Sequence, residues 1–305
     1  MGSSRDWPGD EQRVAEWVRA MLRAPFDVEP EVLTVDGLDH AIVRTRVLER
    51  DLSDLLIDLT GVRITTGAKA FGFDTGAPAD GDAAAPQPIG REAGMLRVGR
   101  ALARPILVND VKVNFEARVT ALPIAWESYT RPLDERVEAS RHAIVPNDAH
   151  GLQGFEAEFE AAMVTSDIER LFVSLAQPLV ESAGAKLTGV SVELSQGNDH
   201  VVHLTAAARV RWKWLSGSAR VRAAVRVAPD GRCTLLKLRL RSRNPLLALA
   251  LLAARGQVKQ AVGREIDLNQ ALAEQGLPLR VSHVAIAVRR EALCRVKLEG
   301  LARSG

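Results

Sequence analysis

The chain predicts an α+β fold with a long twisted antiparallel sheet and few helices, and three observations carry that expectation. Amphipathic helical stripes occur at only a few places, and period-two alternation of apolar and polar residues fills most of the remainder. Short turns rich in Gly, Pro, Asn and Asp separate the alternating runs. At 305 residues, 47% of them hydrophobic and 26% charged, there is enough chain for one large or two medium domains with a real core.

Residues 1–10 (MGSSRDWPGD) read as a flexible N-terminus. A helix follows over about 11–24, with Val14, Trp17, Val18, Met21 and Leu22 on one stripe opposite Glu11, Arg13, Glu16 and Arg19. Strands are expected at 32–36, 41–49 and 54–65. Residues 67–94, rich in Gly, Ala, Pro and Asp and without periodicity, read as a long mobile loop. A strand over 106–121 changes its apolar parity near Asp110, which predicts a bulge, and 126–160 is acidic and poorly patterned. Ser166 and Glu169 form a capping box for a helix over 167–183, which Pro178 should kink and Gly184 should end. After a strand at 186–195 come three long alternating segments, 201–214, 218–228 and 232–243. Asn244-Pro245 then caps a further helix. A short helix at 268–275 and strands at 279–289 and 293–301 close the chain. Leu-Thr-Gly-Val occurs at 59–62 and again at 187–190, a weak hint of a repeat.

The three alternating segments carry the most unusual chemistry. With two-residue turns at Ser216-Gly217 and within Ala228–Gly231, Arg211 faces Arg222, Lys213 faces Arg220, Arg222 faces Lys237 and Arg220 faces Arg239. One face then holds Arg209, Arg211, Lys213, Arg220, Arg222, Arg226, Lys237, Arg239, Arg241 and Arg243, with no acid on those strands. The other face holds Val210, Trp212, Val221, Val225, Leu236, Leu238 and Leu240. Like charges directly opposite one another destabilise a sheet by about 0.2–1 kcal/mol per pair. Such a face is either a solubilising or acid-covered surface, or a surface for phosphate-bearing partners. The whole-chain charge of +2 hides the same asymmetry: residues 1–165 hold 18 Lys/Arg against 27 Asp/Glu, and residues 166–305 hold 22 against 11.

Other functional chemistry is sparse. Cys233 and Cys294 make neither a disulfide framework nor a metal-ligand spacing. His142, Asp148 and His150 share one loop but match no standard metal site, and no Gly-rich phosphate loop, GxSxG or HExxH occurs. No enzyme activity, metal or cofactor is therefore expected. No apolar run approaches the roughly 18 residues of a membrane span. The chain reads as cytoplasmic or peripheral to a membrane, and as periplasmic only where a signal peptide has been removed.

The C-terminal stretch 265–300, with Asp267-Leu268-Asn269 opening a short helix and Leu277-Pro278 opening a strand, resembles the bacterial tubular lipid-binding (TULIP) proteins. The likeness is to their actinobacterial branch linked to envelope lipoglycan assembly, and residues 32–64 look like that branch's opening strands. The resemblance implies an elongated, curved antiparallel sheet wrapped around long helices as one domain over 11–305; two α+β domains, 11–160 and 161–305, are the alternative. It also implies an apolar tube for acyl chains. Trp212, Leu238 and the wholly apolar run at 245–254, with Leu246, Leu247, Leu249, Leu251 and Leu252, are its candidate lining, although each also suits an ordinary core. The expected function is lipid binding or transfer, with the basic face on an anionic membrane surface. An adaptor or nucleic-acid-binding module using the same face is the alternative, and nucleic acid is disfavoured because the basic face itself holds no aromatic residue.

Overall fold

The computed structural model describes residues 7–24, 33–66, 87–147, 152–182, 186–212, 215–242, 262–274, 278–289 and 291–301. Strands dominate it. Among the described residues ten strands form one sheet and five a second, and the helices are short: α1 (Glu11–Arg23), α2 (Asp167–Ser182) and α3 (Leu268–Glu274). The expected α+β fold, a curved sheet wrapped around long helices, is therefore incorrect. The longest described helix has 16 residues, about 24 Å, and lies against the sheets without forming an axis for them. The helix expected after Asn244-Pro245 and the 67–86 part of the expected loop fall outside the described residues. Residues 90–94 of that loop begin a strand.

The first sheet is organised by one long hairpin, β5 (Gly90–Val108) and β6 (Val111–Ser128). The change of parity near Asp110 is the hairpin turn itself. Asn109 and Asp110 both take positive φ, 47° and 64°, as the two-residue turn that matches strand twist requires. Bulge and turn both break alternation, so pattern alone did not separate them. The strand expected at 54–65 is two strands, β3 (Asp51–Asp58) and β4 (Arg63–Thr66), both parallel to β5 along the same edge. Leu59–Val62 makes a tight turn between them, with Gly61 at φ 88°, and stays bonded to β5 through Leu59 N to Leu102 O at 2.7 Å. The second Leu-Thr-Gly-Val lies inside a strand, β9 (Lys186–Gln196), so the two copies are not structural equivalents.

Helix α1 follows its stripe. Asp10 caps it by accepting from Arg13 N, and Val14 and Val18 are buried against Val43 of β2 (Ile42–Leu48), Leu52, Ile124 and Trp126. Trp7, from the segment expected to be flexible, is 5% exposed in this core. It stacks on His142 with centroids 4.7 Å apart and meets Trp126 edge-on at 5.6 Å. Trp17 donates from Nε1 to the carbonyls of Ala139 and His142, tying α1 to the chain before β7 (His142–Pro146).

The chain end returns to this sheet. Strand β8 (Glu156–Val164) pairs with β6 on one side and with β15 (Glu291–Gly300) on the other, and β15 pairs with β14 (Leu279–Val288). Val281 and Val284 of β14 are buried with Val227 of the second sheet, and Val284 N donates to Pro229 O at 2.8 Å. The two sheets thus share a core at one end of the second.

Candidate functional site: a basic sheet face

The second sheet runs β13-β12-β11-β10-β9, all antiparallel: β10 is Val201–Trp212, β11 Leu215–Val227, β12 Arg232–Ser242 and β13 Glu265–Asp267. Asp199 and His200, both at positive φ, turn β9 into β10. Gly231, at φ 88°, turns β11 into β12 beside β14, where an added Cβ would lie 3.0 Å from Val281. The three basic strands are thus present as expected, but their register differs.

Trp212 pairs with Leu215, so the hairpin does not turn at Ser216-Gly217, which lies within β11. Arg211 consequently faces Ser216, Arg209 faces Ser218, Arg220 faces Ala207 and Arg222 faces Thr205. The expected Arg211–Arg222 and Lys213–Arg220 pairings do not form. A physical reason is at hand: the observed register places small residues opposite the arginines and avoids the like-charge penalty. The slip is an even number of residues, so each side chain keeps its face. In the next hairpin the slip is two residues. Arg222 faces Arg239 and Arg220 faces Arg241, which makes a block of four arginines on adjacent strands. The pairing jumps between Ala224/Lys237 and Val225/Leu235, so Leu236, expected on the apolar face, is the bulged residue and is exposed.

Arg209, Arg211, Arg220, Arg222, Arg226, Lys237, Arg239 and Arg241 are all exposed on one face. Among the described residues no carboxylate lies within salt-bridge range of any of the eight. The first sheet is different. Arg97 pairs with Asp51 at 2.6 Å, Arg104 with Glu116 at 2.6 Å, Lys297 with Glu158 at 3.7 Å, and Arg295 bridges Glu158 and Glu160. On sheet two Arg232 pairs with Asp230 at 2.7 Å, but the eight cations of this face lack that compensation among the described residues.

Strand β9 completes the face, a contribution that reading three basic strands alone missed. Ser191 pairs with Ala207, Glu193 with Thr205 and Ser195 with His203. The face therefore has acids only toward its edges: Glu193 on β9, two strands or roughly 10 Å from Arg222, and Glu265 on β13, two strands from Arg226. The alternation of Ser191, Glu193 and Ser195 with Val190, Val192 and Leu194 was the available signal. On the opposite face Val192, Leu194, Val202, Leu204, Val221 and Leu238 are only half-buried, and α2 packs against β9. Lys213, Arg243, Leu246, Leu247, Leu249, Leu251 and Leu252 lie outside the described residues, and of Trp212 only its place at the end of β10 is described.

The remaining candidates are modest. Cys233 and Cys294 are free thiols, both pushed above their ordinary pKa, chiefly by burial. Among the described residues no group of His, Cys, Asp and Glu is arranged to hold a metal ion; Asp148 and His150 lie outside them. No helix among them is long and apolar enough to cross a membrane.

No protein-family model, curated protein or solved structure matches this chain.

Proposed function

We propose that this protein binds lipid without covalent chemistry, holding the basic face of its second sheet against an anionic membrane surface and offering the opposite, apolar face to acyl chains. One observation supports the reading above the others: eight exposed cations share a face without an ion-pair partner among the described residues, while many cations of the first sheet, such as Arg97, Arg104 and Arg295, are paired. Each Lys or Arg near an anionic surface contributes about 1 kcal/mol, so engaging half of the eight strengthens attachment roughly a thousandfold. The half-buried apolar face supports the acyl component, because a sheet face of Leu and Val gains from any covering that removes it from water. Nucleic acid is the weaker fit. The described part of the basic face carries no Phe, Tyr or Trp on which a base could stack.

Two measurements test the two components. Co-sedimentation with phosphatidylcholine vesicles containing phosphatidylglycerol should exceed that with pure phosphatidylcholine and weaken as salt rises. Equal attachment to both would reject membrane docking. Native mass spectrometry and lipid extraction of the purified protein should reveal bound lipid, and repeated absence of any acyl-chain species would reject the acyl site.

A further inference from the structure

A trough of about 680 Å³ opens in the second sheet, lined by residues of β9, β10, β11 and β12. Its residues on the basic face are of two kinds. Gly189, Ser191, Ala207 and Ser218 are short, and Arg209, Arg220 and Arg241 are long and cationic; Val190, Ala208, Ala219 and Ser242, which alternate to the other face, also line the trough. The pairing accounts for the shape. Ala207 lies between Ser191 and Arg220 across the sheet, and Arg209, two residues along β10, lies between Gly189 and Ser218. A Cβ on Gly189 would lie 3.9 Å from Arg209 Cδ, an ordinary van der Waals contact that places the arginine stem over its β9 partner. The arginine stem therefore leans over β9 toward the trough. The β9–β10 register shifts just beyond Arg209, a bulge of the kind that re-aims a side chain.

We infer that this trough is a binding site for a terminal phosphate, a phosphomonoester, and that it distinguishes that group from the phosphodiester of an ordinary anionic lipid. The inference rests on the membrane-docking reading for its setting but concerns a discrete pocket within that face. Three guanidiniums suit phosphate because each offers a planar fork of N–H donors that matches two phosphate oxygens. Among the described residues the trough has no aromatic lining residue on which a base or sugar could stack, so the recognised element is the phosphate itself. A diester presents two free oxygens and one negative charge. A monoester presents three free oxygens and a charge of roughly −1.5 to −2 near neutral pH. Three forks and the hydroxyls of Ser191 and Ser218 exceed what a diester can accept and match a monoester. The group could be a lipid headgroup such as phosphatidic acid or a soluble phosphate ester.

The experiment compares phosphatidylcholine vesicles bearing phosphatidic acid with vesicles bearing phosphatidylglycerol at twice the mole fraction, so that surface charge does not favour the monoester. Glycerol 3-phosphate is titrated calorimetrically in a separate arm without vesicles. We expect about tenfold tighter attachment to phosphatidic acid, the effect of one extra charge-assisted hydrogen bond. Ala207→Leu fills the trough and leaves every charge in place, and should bring the two vesicle types to parity without abolishing attachment. Ser218→Val is the second filling variant should the first not fold, since a β-branched residue suits a strand. Binding of glycerol 3-phosphate alone supports the trough with a soluble source; preference for phosphatidic acid without it supports the trough with a lipid source. Equal or weaker attachment to phosphatidic acid, with no binding of glycerol 3-phosphate, overturns the trough while leaving docking intact. Absence of attachment to either vesicle, with glycerol 3-phosphate still bound, overturns docking and leaves the trough standing.

Discussion

Trp7 shows what a single residue contributes that no pattern announces. It belongs to an irregular segment with no periodicity, yet its ring fills the space between α1, Trp126 and His142. Because it anchors as one side chain, it left no repeating signal by which an N-terminus expected to be flexible could be recognised as core. Its neighbour His142 is held below its ordinary pKa of 6.5, first by burial and then by the charges of Arg13 and Arg141. The unfolded chain therefore takes up a proton at higher pH than the folded one does. Stability should fall as pH drops below about 6.5 and stop falling once the pH is below the folded pKa. Urea denaturation at pH 7.5 and at pH 6 should show this loss in the parent and a smaller one in His142→Gln. Equal pH dependence in the two proteins would remove His142 from the account.

At the scale of elements, the alternating strands and the two amphipathic helices were legible, because periods of 2 and 3.6 report which side of an element meets the core. Strands β9 to β12, α1 and α2 all lie within a few residues of their expected bounds. Register was less legible. Period-two parity survives a slip of two or six residues, so the basic face could be read correctly while nearly every cross-strand partner was assigned wrongly. Long-range pairing was not legible at all: nothing local in residues 291–300 says that they pair with β8. The observed register makes its own prediction. Arg239 sits directly opposite Arg222, a like-charge pair that costs the sheet stability. Arg239→Thr should raise stability by about 0.2–1 kcal/mol at low ionic strength, less in high salt, while weakening attachment to anionic vesicles. Unchanged or lower stability at low salt would mean that the repulsion is already neutralised.

Across the whole molecule, charge and architecture divide along the same line. The first sheet carries most of the ion pairs and the cores built around α1 and the returning β14–β15 hairpin; the second is amphipathic, basic on one face and half-buried apolar on the other. The asymmetry between residues 1–165 and 166–305 anticipated this division, although the C-terminal hairpin crosses it to complete the first sheet. The expectation of long central helices failed because it rested on resemblance in element order, which is silent on how many layers the strands make. The central claim is that the unpaired cations dock the molecule on an anionic membrane, and charge reversal on that face tests it most directly. The variant Arg211→Glu, Arg222→Glu, Arg239→Glu alters three exposed side chains and should keep the parent circular dichroism spectrum. Co-sedimentation with phosphatidylglycerol-containing vesicles is measured at about 0.1 M and about 1 M salt, where the screening length falls from about 10 Å to about 3 Å. The account predicts that the parent binds strongly at the lower salt and the folded variant does not, with the difference between them shrinking at the higher salt. A folded variant that sediments with these vesicles as well as the parent does at low salt would contradict it.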